Sequence, residues 1–273
     1  MTIIEFIKLF PKAFKEWIQD RVGGLSASIA FYQLMSIAPF VSLIVIVSSA
    51  LFGHQQFKDE IEPLIAQFFH PQFITAIRYM LQYSFDLDES KFLTITVLGI
   101  ISLVHGTFGF FEQLKDAIET IWNKRIAEAN IKAGIRKKAE ALFMAMVCFL
   151  LLLFGFVAGH WFIETEGVLR YTLMTLIEFI VLFAIIYFLL TYCPPIRFSG
   201  RYLLPGALLT TILYMIGRLV LKYVLNHQSE AAQDVAATLL LYLLWAYYSA
   251  LVFMYGAEFS KLYIRRKELE GIK

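Results

Sequence analysis

Charge is what this chain has least of. Only 17% of its 273 residues are Asp, Glu, Lys or Arg, where a soluble domain carries about 25%. With 59% hydrophobic residues and a mean hydropathy of +0.67, that scarcity excludes an ordinary water-soluble globule. Cysteine is nearly missing too. Cys148 and Cys193 lie in or at the end of apolar stretches and read as small buried hydrophobes, with neither a disulfide framework nor metal-ligand spacing. No H-E-x-x-H, P-loop, dinucleotide fingerprint or G-x-S-x-G motif is present, so nothing indicates metal, nucleotide or acyl-transfer chemistry. The chain is not read as an enzyme, and no cofactor or metal is expected. A net charge of +2 gives no reason to expect a nucleic-acid partner. The N-terminus lacks a charged n-region followed by an apolar core, so no cleaved signal peptide is expected.

What the chain does have is long apolar runs. Six are long enough to cross about 30 Å of hydrocarbon, at roughly 20 residues each. They fall at about 24–52, 92–111, 141–163, 171–193, 202–225 and 236–260. The expected fold is all-α: one integral membrane domain over 1–273, with six transmembrane helices and amphipathic helices at the interface. Pro39 interrupts the first run and is expected to kink it. Pro194 and Pro195 stop the fourth, and Pro205-Gly206 opens the fifth. The first run begins with small and polar residues, among them Gly23, Gly24, Ser26, Ala27, Ser28 and Ala30. Such stripes let helix backbones approach closely, so a central packing helix is expected.

Three segments between the runs have their own character. Within 1–22, Ile3, Phe6, Ile7, Phe10, Phe14, Trp17 and Ile18 share a helical face opposite Lys8, Lys12 and Lys15. That is the pattern of a basic helix lying in the membrane interface. Residues 54–90 hold two apolar stripes separated by Pro71, read as extracytoplasmic amphipathic helices. Residues 112–138 begin with a helical stripe through Leu114, Ile118 and Ile121 and end in Arg136-Lys137-Lys138, read as a basic cytoplasmic linker.

The basic residues also set the orientation. Eighteen of the 24 Lys and Arg fall on the side of the N-terminus, the 112–138 segment, the fourth-to-fifth loop and the C-terminus. Five fall on the other side, and Arg218 lies within a run. The positive-inside rule then places both termini in the cytoplasm, as an even number of spans requires. Anionic lipid at the cytoplasmic face accounts for the basic excess.

Charges inside the bilayer cost about 2.5–3.5 kcal/mol each at mid-helix, so the few that occur point to sites. Arg218 and Glu178 lie roughly 10 and 13 Å from the outer ends of their spans, at 1.5 Å per residue, and are expected to pair in the interior. Glu258, Glu112, Arg197 and Arg201 are expected to cluster at the cytoplasmic side. Ser28, Gln33, Ser36, Pro39 and His105 are candidates for a polar lining.

Four segments carry a family resemblance: GGLSASIAFYQLMSIAPF at 23–40, FFEQLKDAIETIWN at 110–123, LLPGAL at 203–208 and LLWAYYSALVFMYGAEF at 243–259. In this order they resemble the YihY/BrkB family of bacterial inner-membrane proteins, over nearly the whole chain. The resemblance implies six spans, inner-membrane localisation and no established activity. A ribonuclease label once attached to the family fits poorly, because the basic residues here sit at the membrane boundary and not along a nucleic-acid path. The family often has Asn soon after its G-A-E; this chain has Phe259 and Ser260 there, so no role of that Asn carries over. The leading functional expectation is transport or lipid handling through a polar interior site. The alternative is a non-transporting scaffold in envelope assembly, and a membrane-associated enzyme or ribonuclease ranks third. The small-residue stripe suits packing within one chain or a homo-oligomer equally.

Overall fold

The computed structural model describes residues 3–36, 89–122, 131–161, 167–194, 198–226 and 235–271, and these form helices and short turns with no strand among them. The helices are α1 (Ile3–Ile7), α2 (Leu9–Gln19), α3 (described over 22–36), α4 (Glu89–Ile121), α5 (Ile131–Trp161), α6 (Gly167–Tyr192), α7 (Leu204–Asn226) and α8 (Val235–Gly271). Among the described residues, five apolar segments are long enough to span a bilayer: Val97–Ile121, Lys138–Gly155, Thr172–Tyr192, Leu204–Leu221 and Leu240–Lys267. The first apolar run of the sequence is described only as far as residue 36, and Pro39 and the 54–88 stretch lie outside the described residues.

These helices are apolar outward. Val97, Ile101, Leu142, Phe149, Phe154, Leu176, Ile180, Leu219 and Leu244 are among the large side chains left exposed. A soluble monomer rarely exposes apolar area on this scale, whereas hydrocarbon solvates it without cost. The chain is therefore a multi-pass membrane protein. Helices suit this setting because each satisfies its own backbone donors and acceptors.

Contacts gather into two compact units: Met1–Ile29 with Phe111–Tyr223 and Tyr247–Lys273, and Ala30–Phe110 with Val224–Ala246. In the first unit α5 and α6 pack antiparallel. Phe143 meets Phe188 and Tyr192, the Cys193 thiol donates to the Met144 sulfur at 3.7 Å, and Gly155 abuts Val181. Helix α6 ends at Tyr192, just before Pro194, which cannot donate to the preceding turn. Pro205 falls in the first turn of α7, where its missing N–H goes unused.

Helices α7 and α8 also run antiparallel. A Cβ on Gly206 would lie 2.8 Å from the Gly256 carbonyl, and one on Gly256 would lie 3.1 Å from the Gly206 carbonyl. The small residues thus let two backbones touch. The buried hydroxyls of Thr210, Thr211 and Ser260 bond back to carbonyls one turn earlier in their own helices, so these three groups are satisfied. Farther along, Tyr248 donates to the Leu213 carbonyl at 2.8 Å.

The N-terminal segment has two apolar faces. Leu9 and Ala13 are buried, and Phe6 and Phe10 close on the Phe259 ring of α8 at 5.5 and 5.0 Å between centroids. Tyr255 donates to the Phe10 carbonyl, and the Trp17 indole donates to the Leu251 carbonyl. The residues expected on one interfacial face are therefore divided. Phe6, Phe10 and Trp17 contact α8, while Ile7, Phe14 and Ile18 are exposed beside Lys8, Lys12 and Lys15. Arg21, at φ 51°, takes the left-handed conformation that ends α2 and lets α3 begin.

In α3 the buried stripe is Val22, Ser26, Ile29 and Ala30, whereas Gly24 and Ala27 are exposed. The small-residue stripe is thus only partly the packed one. In the second unit Gly106 and Gly109 of α4 lie against Ser36 and Tyr32, and the Gln33 amide reaches the Tyr242 hydroxyl at 3.4 Å. In the 112–138 segment the stripe through Leu114, Ile118 and Ile121 is helix, as expected, and the basic end is helical too. Helix α4 runs on to Ile121 and α5 starts at Ile131, so Arg136, Lys137 and Lys138 sit on helix.

Candidate functional site

Among the described residues of the first unit, two of the charged constellations bear on the site. The simpler one joins α6 and α7, where the Arg218 guanidinium forms an ion pair with the Glu178 carboxylate. Glu178 lies about 16 Å from the start of α6 and Arg218 about 12 Å from the end of α7, at 1.5 Å per residue. Both positions are well inside apolar helices. The pair is not enclosed, however: the side chains remain 48% and 38% exposed. The interior location expected from sequence is therefore corrected. The ion pair sits at the chain's own surface, at a depth where lipid would penalise it.

The second constellation centres on Lys261, a full turn beyond Gly256 on α8. Its side chain is only 2% exposed. The ammonium nitrogen lies 2.6 Å from Glu258 Oε2, 2.9 Å from Glu16 Oε2, 3.0 Å from the Ile121 carbonyl and 3.4 Å from Asp20 Oδ2. Four oxygens thus surround a group with three protons. Three elements meet at this one cation: the end of α2, the last residue of α4, and α8. The Ile121 carbonyl belongs to the negative end of the α4 dipole, which favours a cation there. Glu258 and Lys261 are three residues apart on one helix face, the spacing that lets such a pair meet. Glu258 is completely buried, and neither of its oxygens has an aligned hydrogen-bond donor.

This is not the cluster expected from sequence. Glu258 is at its heart, but its partners are Lys261, Glu16 and Asp20. Arg201 is exposed in the short turn Gly200–Tyr202, Glu112 is half-buried on α4, and Arg197 lies outside the described residues. Lys115 instead pairs with Glu140 of α5. In sequence Lys261 is one of the C-terminal basic residues that set the orientation. The signal that could have found it is the unbroken apolar pattern of α8 past Phe259, which carries Lys261 into the packed face with Ile264. Of the polar-lining candidates, Ser28 and Ser36 donate to the Leu25 and Gln33 carbonyls of their own helix, and His105 is exposed on α4. The Gln33 amide hydrogen-bonds to another helix, at the Tyr242 hydroxyl.

The description "Virulence factor BrkB" belongs to the family model that matches residues 13–272. The chain belongs to the BrkB family. Among curated proteins it is similar to the UPF0761 membrane protein of Xanthomonas campestris pv. campestris strain B100, at 25% identity over 260 residues, covering 90% of this chain and 58% of that protein. The UPF0761 membrane proteins of Xanthomonas axonopodis pv. citri strain 306 and Xanthomonas oryzae pv. oryzae strain PXO99A are similar at the same identity and coverage. This BrkB-family chain therefore spans 58% of the length of these relatives. No solved structure matches it.

Proposed function

We propose that this protein is a six-span component of the bacterial inner membrane, with both termini in the cytoplasm, that transports a solute or handles lipid. The observation that carries this is the Arg218–Glu178 pair, two opposite charges deep in apolar helices and yet roughly half uncovered. Hydrocarbon is a poor neighbour for such a pair, and water or a polar headgroup is a good one. A site of this kind suits a zwitterionic or anionic headgroup, with Arg218 as the phosphate-binding group. Six spans and cytoplasmic termini are supported by the 18-to-five distribution of Lys and Arg. The exposed Ile7, Phe14 and Ile18, flanked by Lys8, Lys12 and Lys15, support seating of α2 on anionic lipid at the cytoplasmic face.

The test is lipid movement in proteoliposomes. Vesicles of phosphatidylethanolamine and phosphatidylglycerol carrying a nitrobenzoxadiazole-labelled phosphatidylglycerol are quenched from outside with dithionite. Wild-type protein is expected to expose label beyond the outer leaflet. Arg218→Ala should reduce that fraction at least tenfold, while Arg218→Lys should retain part of it. No movement by the wild type, together with no uptake of small anions, would favour the scaffold reading. The exposed basic face of α2 suits that alternative, since it extends contact without lining a path.

A further inference from the structure

We propose that Glu258, with Asp20 and Lys261, forms a proton-binding site in which Glu258 takes up and releases a proton. Glu258 has no exposed surface, and neither of its oxygens has an aligned hydrogen-bond donor, although the Lys261 ammonium lies 2.6 Å from Oε2. The carboxyl of Asp20 is its neighbour, and both acids approach the same ammonium. Two ionised carboxyls facing each other have no hydrogen to share. One proton between them supplies the missing donor and removes one of two like charges. The charge count agrees: Glu16, Asp20 and Glu258 surround a single cation, leaving two negative charges in excess when all are ionised. A buried carboxylate in that position is costly, and a bound proton relieves it.

Among the described residues, two further cations on the packed elements are engaged elsewhere. Lys115 of α4 is engaged with Glu140 and Arg266 of α8 with Glu5. Arg265 is exposed, and Glu119 on α4 adds a further acid. The last turn of α4 contributes the Ile121 carbonyl to the cluster. A metal ion is not the better occupant: among the described residues no group of His, Cys, Asp and Glu is disposed to hold one. Lys261 already fills the centre of the oxygen set. Asp20 and Glu16 remain about a quarter exposed at the end of α2, which gives the proton a route to solvent. On release of the proton, Glu258 and Asp20 both bear charge, and Lys261 must hold both. The grip of α8 on α2 then depends on the protonation of one residue. If the transport reading holds, this site supplies its coupling ion; the proton site itself does not depend on that reading.

The test is infrared difference spectroscopy of the full-length protein in lipid vesicles, following the protonated-carboxyl C=O band against pH. A buried carboxylic-acid band is expected at neutral pH, lost on alkalinisation and insensitive to Glu178→Gln. In Glu258→Gln that band should disappear. In Asp20→Asn, chosen because Asp20 is at a helix end and partly solvated, it should persist with a shifted frequency and titration point. No such band in the wild type, or a band that survives Glu258→Gln, overturns the proposal. The lipid-movement assay is read separately, so loss of flux with an intact titrating band sinks the transport reading alone.

Discussion

Lys261 is the residue on which three of the described helices converge. One ammonium ties the end of α2, the end of α4 and α8 through oxygens at 2.6 to 3.4 Å. Removing one partner from a buried ionic set leaves the others uncompensated and costs about 3–5 kcal/mol. Lys261→Met is therefore expected to lower the unfolding temperature of the detergent-solubilised protein sharply. The double variant Lys261→Met with Glu258→Leu should recover much of the loss, because an apolar replacement of a buried pair is often close to neutral. Thermal unfolding of the two variants against wild type measures this. If Lys261→Met alone melts like wild type, the cluster contributes nothing to the fold. The weight of Glu258 was legible from its place beside Gly256 and Ala257. Its partners were not, because Glu16 and Asp20 lie more than 200 positions away in sequence and the meeting is made by the docking of α2.

At the scale of elements, the α7–α8 crossing rests on two glycines facing each other. A methyl on Gly206 meets backbone, the Gly256 carbonyl at 2.8 Å, and backbone cannot step aside as a side chain can. Gly206→Ala and Gly256→Ala are each expected to destabilise by about 1–3 kcal/mol, the usual range for overpacking. Gly24→Ala is the contrasting case, since nothing lies within 4 Å of a Cβ there. It should be stabilising by up to about 1 kcal/mol through helix propensity. The three unfolding temperatures, taken together, check this ordering. The sequence pattern marked both classes as small-residue positions but could not rank them, because spacing alone does not say which stripe meets a neighbour. Val22, Ser26, Ile29 and Ala30 turned out to be the buried row of α3, although Gly24, Ser28 and Ala27 looked equally suitable. Helix ends were easier to read: Pro194 and Pro205 act through a missing donor, a purely local effect.

For the molecule as a whole, hydropathy made the membrane character plain, because solvent preference is a property of composition. Five of the apolar runs recur as helices of spanning length. The Arg218–Glu178 meeting also followed from charges that apolar helices rarely carry. Its exposure did not, since which face of α6 and α7 looks outward depends on how helices pack. That exposure is also what the functional proposal rests on, and it can be measured directly. In a chain carrying Cys148→Ala and Cys193→Ala, a cysteine replaces Glu178 alongside Arg218→Gln, and a second chain carries Phe149→Cys on the apolar surface. Both are challenged in proteoliposomes with a membrane-impermeant, charged thiol reagent. The cysteine at position 178 is expected to be modified at least tenfold faster than the one at 149. Equal protection of both from the charged reagent, with reaction only toward a lipid-soluble maleimide, would place the pair against hydrocarbon and contradict a polar path through this protein.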